Sequence, residues 1–258
     1  MAKIIWLASY PKSGNTWIRF IFAHLILGKI ESSNVVNRLV PDLHVGLSWL
    51  HLKGDRRLVL KTHLKYFDKM PLREDAIGAV YIVRNPLDVI VSALNYSEMV
   101  RGQLSEERRQ AFVAEFIDGG GLDEWKQTGF GGWDENVKSW HAKDLPFPRL
   151  TLRYEDLKAS PVEGVSRLCR FLNLERSEKD IDDAIAASSF GKMRAMEEEE
   201  VALGKPGLFA QENRRNSTGK RFMNKGASDA YCDSLTEEQI RRLRERFAPL
   251  MSQFGYDV

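Results

Sequence analysis

An apolar run, Ile4 to Ala8, stops abruptly at the turn Ser9-Tyr10-Pro11-Lys12-Ser13-Gly14-Asn15. A stretch with apolar residues at Trp17, Ile21, Phe22, Leu25 and Ile26 follows at once, at helical spacing. A short, continuously apolar strand is covered on both faces, so it belongs inside a sheet. A buried strand that turns directly into a helix leaves few architectures open. Further apolar runs at Leu58–Leu60, Ile77–Val83 and Leu150–Arg153 alternate with helical patterns. This alternation predicts one α/β domain across residues 1–258, with a central, mainly parallel sheet flanked by helices.

Punctuation along the chain supports the same reading. Asn85 can cap a helix that has Pro86 in its first turn and runs toward Met99. Ser105 opens another, closed near Gly119 to Gly121, and a further helix covers about Trp133 to Ala142. Ser160-Pro161-Val162-Glu163 and Thr236-Glu237-Glu238-Gln239 read as capping boxes, and Ser177 as a cap. The acidic run Glu197 to Glu200 reads as a solvated helix end. Residues 203–228 form the longest loop-like stretch, and loops of that length are often functional.

Composition narrows the partners. With 38 Lys plus Arg against 36 Asp plus Glu, the chain lacks the basic excess of a nucleic-acid binder. Any anion site must therefore come from local placement of cations and backbone N–H groups. Cys169 and Cys232 belong to no metal pattern and read as buried thiols of a reducing, cytoplasmic compartment. No metal site is expected. No stretch is apolar for long enough to cross a bilayer, and the N-terminal run is too short for a signal sequence.

The first turn is an oxyanion site by construction. Backbone N–H groups at a helix N-terminus converge there, aided by the helix dipole. Gly14 permits close approach, and Lys12, Ser13 and Thr16 add a cation and two hydroxyls. It is not a Walker A loop, because Lys12 precedes the only glycine. Arg84 ends the Ile77–Val83 strand, and Ser92 lies eight residues on, about two helical turns away. Ligands of open parallel sheets bind beyond the carboxyl ends of the strands, where Arg84 and the Lys12 turn would meet. Alone, Arg84 reads as an ion-paired surface residue and Ser92 as a helix serine facing backbone. Arg214-Arg215-Asn216-Ser217-Thr218-Gly219-Lys220-Arg221 places four cations around a glycine and could fold over a multiply charged ligand.

Together these segments resemble the PAPS-dependent sulfotransferase family of the type that acts on small-molecule hydroxyls. Tyr10 to Trp17 is similar to the 5′-phosphosulfate loop, with Asn15 where many members have Thr. Lys61-Thr62-His63-Leu64 resembles the segment of the catalytic His, and Tyr81 to Ser92 the 3′-phosphate motif. Gly132-Trp133, Trp140 and Arg153-Tyr154-Glu155-Asp156-Leu157-Lys158 follow the mid-chain pattern, and Ser188-Ser189-Phe190 the adenine-side segment. The late loop departs: the family's Arg-Lys-Gly-x-x-Gly and its following Trp are not reproduced at 214–221. Asn216 would stand for a glycine there. The C-terminal dimer motif is also missing, so oligomeric state is not carried over.

The resemblance implies a P-loop-NTPase-like fold, PAPS as donor, PAP as product and a small-molecule hydroxyl acceptor, with no metal. It makes His63 the general base, Lys12 the residue facing the bridging oxygen, and Lys61 a second cation on the transferred group. Lys12, Ser13, Gly14, Asn15 and Thr16 would hold the 5′ end. Arg84, Ser92, Arg214, Arg215 and Asn216 would hold the 3′-phosphate. Trp17, Tyr154 and Phe190, with Ser188, would bracket the adenine. Acceptor contacts are expected from residues 35–55, 95–135 and 195–212, with Trp49, Phe130 and Trp133 lining an apolar pocket. His24, His44, His51 and His141 read as structural or surface residues. A P-loop-like phosphotransferase and a non-catalytic PAP-binding protein are the competing readings.

Overall fold

Side-chain alternation along the first strand sends Ile4, Trp6 and Ala8 into one apolar cluster and Ile5 and Leu7 into another. Both faces of the sheet are therefore covered, as the unbroken apolar runs require. In the computed structural model, which describes residues 3–45, 57–213, 216, 218–223, 226 and 228–258, four parallel strands form one sheet in the order β2-β1-β3-β4. The strands are β1 (Lys3–Ser9), β2 (Arg57–Thr62), β3 (Ala76–Val83) and β4 (Arg149–Arg153). The α/β class and the parallel sheet expected from the sequence are both observed.

Between β1 and β2 lie α1 (Asn15–Leu27) and α2 (Ser33–Leu39). Between β3 and β4 lie α3 (Pro86–Arg101), α4 (Glu106–Gly119), α5 (Asp123–Gln127) and α6 (Trp133–Trp140). After β4 come α7 (Tyr154–Ala159), α8 (Pro161–Leu172), α9 (Glu178–Ala187), α10 (Phe190–Ala202), α11 (Leu208–Asn213) and α12 (Glu237–Gln253). Residues of α3, α4, α6 and α12 pack with Trp6 and Tyr81 on one face of the sheet. Residues of α1, α8 and α9 pack with Leu7 and Ile82 on the other. A third cluster, with Phe20, Val36, Met193 and Phe209, joins α1, α2, α10 and α11 beside the sheet.

Several local expectations are corrected. Ser160 accepts no capping hydrogen bond through its side chain. It ends α7 and begins α8, so its backbone follows the last turn of α7, where Ser160 N–H donates to Asp156 O. Residues 203–228 are not all loop, because α11 lies within them. Cys169 is buried, but Cys232 is exposed, and both are free thiols.

The acidic run is corrected most. Glu197 and Glu200 are buried, three residues apart on the inner face of α10, while Glu198 and Glu199 face outward. Glu197 accepts from Phe222 N at 2.7 Å, Met223 N at 2.9 Å and Asn213 Nδ2 at 2.9 Å. Glu200 accepts from Ser33 N at 2.7 Å, Ser32 Oγ at 3.1 Å and the Ser33 hydroxyl. A buried carboxylate persists when its lone pairs are met in this way.

Glu200→Ala would strand buried donors on α2. It is expected to destabilise the fold by about 3 kcal/mol, seen as a thermal midpoint lower by roughly 6–12 °C. An unchanged midpoint would show that the contact carries no stability.

Candidate active site

Parallel strands end at one edge of the sheet, so whatever follows each strand gathers there. The turn after β1, the end of β2 and the residue after β3 meet at a cavity of about 910 Å³. Lys12, Gly14, Asn15, Thr16 and Trp17 line it from the first turn. Lys61 and His63 line it from β2, Arg84 and Ser92 from β3 and α3, and Tyr154 and Phe190 from α7 and α10. Ser13 and Ser188 are buried behind this wall rather than lining it. Arg214 and Arg215 lie outside the described residues, as do Trp49 and His51.

The first turn is built around left-handed backbone at Lys12 (φ 66°) and Gly14 (φ 95°). Only the glycine adopts this without strain. A Cβ on Gly14 would lie 2.5 Å from the Tyr154 ring. Gly14 caps α1 without any side-chain acceptor, and the first turn of α1 carries no acidic residue. By contrast α3, α4, α9 and α12 each have a side chain accepting from their first turn. The open amides of α1, the buried Ser13 hydroxyl without a partner among the described residues, and Lys12 together suit an oxyanion. Asn15 braces the turn by donating to Leu7 O and Ser9 Oγ, both at 3.2 Å.

Arg84 donates to Lys12 O at 3.0 Å and stacks its guanidinium 4.3 Å from the Tyr154 ring centroid. Trp133, expected in an acceptor pocket, is instead fully buried and donates its indole N–H to Arg84 O at 3.2 Å. Its bulk belongs to the core against Phe247, where it fixes the end of β3. Trp17 meets Tyr154 edge to face at 6.0 Å, so that pair and Phe190 form one aromatic wall.

The Lys12 ammonium sits 4.4 Å from the Tyr96 ring centroid and 4.3 Å from that of Phe222. Burial pulls its pKa down to about 8; Glu212 opposes the shift, and Arg84 and Lys61 add to it. His63 Nδ1 lies 2.8 Å from Ser9 O. A carbonyl can only accept, so Nδ1 carries the proton and Nε2 is the basic atom of the neutral ring. Burial holds His63 well below its ordinary pKa, Lys61 adds to this, and Asp42 and the Ser9 carbonyl oppose it.

Four features of this site escaped the sequence reading. His44, set aside as structural, stacks on His63 with ring centroids 5.9 Å apart and accepts the His63 N–H on Nε2 at 2.9 Å. Asp42 pairs with Lys61 at 2.7 Å. Phe130 lines the cavity as expected, and Trp125, within the expected 95–135 segment but not singled out there, joins it. In the late segment Asn216 is not on the cavity wall; its side chain donates to Lys220 O and accepts from the Thr218 and Gly219 N–H groups. The wall is formed instead by Gly219 to Met223 and by Gly226. Gly226 O accepts from Tyr154 Oη at 3.0 Å and Lys158 Nζ at 2.8 Å, and a Cβ there would strike Phe190 at 2.7 Å. The signal was present: a glycine between Lys225 and Ala227, five residues beyond Arg221.

The arrangement is that of an α/β protein with a cavity lined by a strand–helix turn, several cations and an imidazole, a setting that suits a multiply charged anion. A match to the sulfotransferase domain family spans residues 3–255, and the chain belongs to that family. It is 28% identical to rat sulfotransferase 1A1, over 97% of this chain and 85% of that protein. It is 23% identical to rabbit amine sulfotransferase, over 97% and 81%. Among solved structures, a mouse sulfotransferase complexed with PAP superposes with a TM-score of 0.71 at 23% identity, covering 96% of this chain and 84% of that one. Retinol dehydratase with androsterone and PAP gives 0.68 at 18%, covering 99% and 82%.

Gly14→Ala combines an unfavourable φ with a collision against Tyr154. It is expected to weaken binding of a phosphate-bearing nucleotide by at least ~10-fold, the equivalent of about 1.4 kcal/mol, as read by calorimetry. Unaltered affinity would remove the turn from the binding site.

Proposed function

We propose that this chain transfers a sulfuryl group from PAPS to a hydroxyl of a small-molecule acceptor, releasing PAP and a sulfate ester. The observation that carries the reading is the state of His63. Its Nδ1 is committed to the Ser9 carbonyl, its Nε2 is left basic, and its ring shares one cavity with Lys12 and Lys61. Family membership supports the reaction class. Two free cysteines fit a cytoplasmic setting.

Bound PAPS supplies a sulfuryl group on a stable phosphate leaving group. Every other requirement falls on the chain. His63 Nε2 accepts the proton of the acceptor hydroxyl as its oxygen becomes nucleophilic. Burial keeps the ring neutral at physiological pH, so it is in the form that can take that proton. Lys12 meets the negative charge that grows on the bridging oxygen, and Lys61 faces the transferred group from β2. The open amides of α1 with Ser13, Asn15 and Thr16 receive the 5′ end. Arg84 and Ser92 receive the 3′-phosphate, a role extended to Arg214 and Arg215 by the sequence resemblance alone, while Asn216 shapes the loop that carries Gly219 and Lys220 to the wall. Trp17, Tyr154 and Phe190 flank the adenine, with Gly226 against Tyr154 and Phe190; Ser188 supports this wall from behind.

Incubation with labelled PAPS and a panel of hydroxyl acceptors is expected to yield PAP and a sulfated product. No PAP from any acceptor class would overturn the reading. His63→Ala should retain PAP binding and lose turnover by at least ~10²-fold, the low end for general acid–base catalysis. Full activity in that variant would remove His63 as the base.

Lys12 gives a pH signature. It is charged below about pH 8 and neutral above. An anion that favours the charged form therefore binds more weakly as pH rises through that value, by up to ~10-fold per unit. PAP affinity measured from pH 7 to 9.5 should fall in this way for the natural chain, with the Lys12 contribution absent in Lys12→Met. Identical profiles would exclude Lys12 from the anion site.

A further inference from the structure

Residues Pro41 to Val45 run beside β2 and extend the sheet edge locally. Asp42 forms an isolated parallel bridge with Lys61, and Lys61 N–H donates to Pro41 O at 2.8 Å. This brings a carboxylate against two of the groups assigned to the reaction. Asp42 Oδ2 accepts from Lys61 Nζ at 2.7 Å, with the two side chains only 15% and 12% exposed. The other oxygen, Oδ1, accepts the His44 N–H at 3.0 Å. His44 Nε2 in turn accepts the His63 main-chain N–H at 2.9 Å, with the two rings stacked within 9° of parallel.

We propose that Asp42 is a positioning residue for the reacting pair, one oxygen fixing the Lys61 ammonium and the other ordering the turn whose His44 ring holds the main chain of His63. The inference rests on the reading of Lys61 and His63 as reacting groups. It adds a residue that touches neither donor nor acceptor and acts through both partners.

The electrostatics give this role a sign. Burial pulls the Lys61 ammonium toward its neutral form, Asp42 opposes that, Arg19 adds to it, and Glu212 is the other acid acting on it. Glu212 already accepts the Tyr96 hydroxyl at 3.1 Å. Burial would raise Asp42, yet Lys61 holds it well below the usual carboxylate range, with His63 and the His44 N–H contributing. His63 feels Lys61, Asp42 and His44 together. His44 is pulled down to about 4 by burial and by Lys61, against Asp42, so it stays neutral and its Nε2 remains an acceptor. Removing the Asp42 charge leaves Lys61 buried beside Arg19, and its ammonium gives up its proton at lower pH. A merely structural loosening does the opposite, since hydration returns a lysine toward ~10.4.

The test is the titration of Lys61, followed by NMR in protein labelled with 13C at lysine Cε, for the natural chain, Asp42→Asn and Asp42→Glu. We expect the Lys61 midpoint to fall by at least about one pH unit in Asp42→Asn and to recover in Asp42→Glu. The alkaline limb of the turnover profile should move to lower pH together with that midpoint in Asp42→Asn, with the KM for PAPS changed by less than about threefold. A Lys61 midpoint that is unmoved, or that rises, overturns the proposal. If Asp42→Asn does not fold, Lys61→Gln is compared with the double variant Asp42→Asn/Lys61→Gln. Because an asparagine oxygen can still accept the His44 N–H, a double variant no slower than Lys61→Gln supports action of the Asp42 charge through Lys61, and a further ~10-fold loss overturns it. The titration needs no turnover. A chain that shows the expected shift but releases no PAP therefore overturns sulfuryl transfer and leaves the role of Asp42 toward Lys61 standing.

Discussion

Crowding of cations at one edge of the sheet is the constraint on which the rest of this structure turns. The order β2-β1-β3 sets Lys61, Lys12 and Arg84 side by side, because parallel strands deliver their carboxyl ends to the same place. Buried cations are costly to desolvate, and these also repel one another: Lys61 and Arg84 each pull the Lys12 ammonium toward its neutral form. Such an arrangement is held in place by the surrounding fold, and an anion that enters it relieves the repulsion. Binding energy is thereby focused where the sulfuryl group and its phosphate would lie.

The surrounding fold does this largely through carboxylates that hold backbone. Glu197 accepts from the Phe222 and Met223 N–H groups, Asp88 from Asp229 N at 3.0 Å, and Glu155 from Asn85 N at 2.9 Å. Each ties a segment of the cavity wall to a helix. The buried Glu98 works differently, pairing with Lys220 and, at 2.6 Å, with Arg109. It anchors the 219–223 segment to α3 beside Tyr96, which sets Phe222 against Lys12. Asp42 is the exception that pairs directly with a cation at the reacting end.

This division explains what could and could not be read from the sequence. Strands and their order of appearance were legible because apolar continuity and turn residues are local signals. Gly14, Lys12 and Arg84 were legible because strand-to-helix turns have a fixed geometry. The acids were not. Glu197 and Glu200 look like any solvated run, and only the arrival of α2 and the 222–223 backbone makes them interior. His44 gave no signal either, since its partner lies 19 residues on and meets it only through the β2 edge. Trp133 was misread for a related reason: large aromatic residues line pockets and fill cores alike, and its indole N–H went to the β3 end. In the late segment charge density drew attention to 214–221, of which Gly219 to Arg221 do line the cavity, whereas nothing charged marked Gly226, the residue without Cβ next to Phe190.

Strand register links the earliest sequence signal to the chemistry. β1 pairs with β2 so that Leu7 lies opposite Lys61 and Ala8 opposite Thr62. That pairing carries His63 alongside Ser9, where the carbonyl takes its Nδ1 proton. A slip of one residue would bring Thr62 beside Ser9 and turn the buried Leu60 out of the core. The alternation of Ile4, Trp6 and Ala8 against Ile5 and Leu7 forbids that slip, because each face has its own cluster to fill. The basic nitrogen of the imidazole is therefore specified by the packing of a strand whose apolar side chains fill the core on either face of the sheet. A core substitution in β1 that loosened this register would change which nitrogen of His63 is free before it changed any residue of the site.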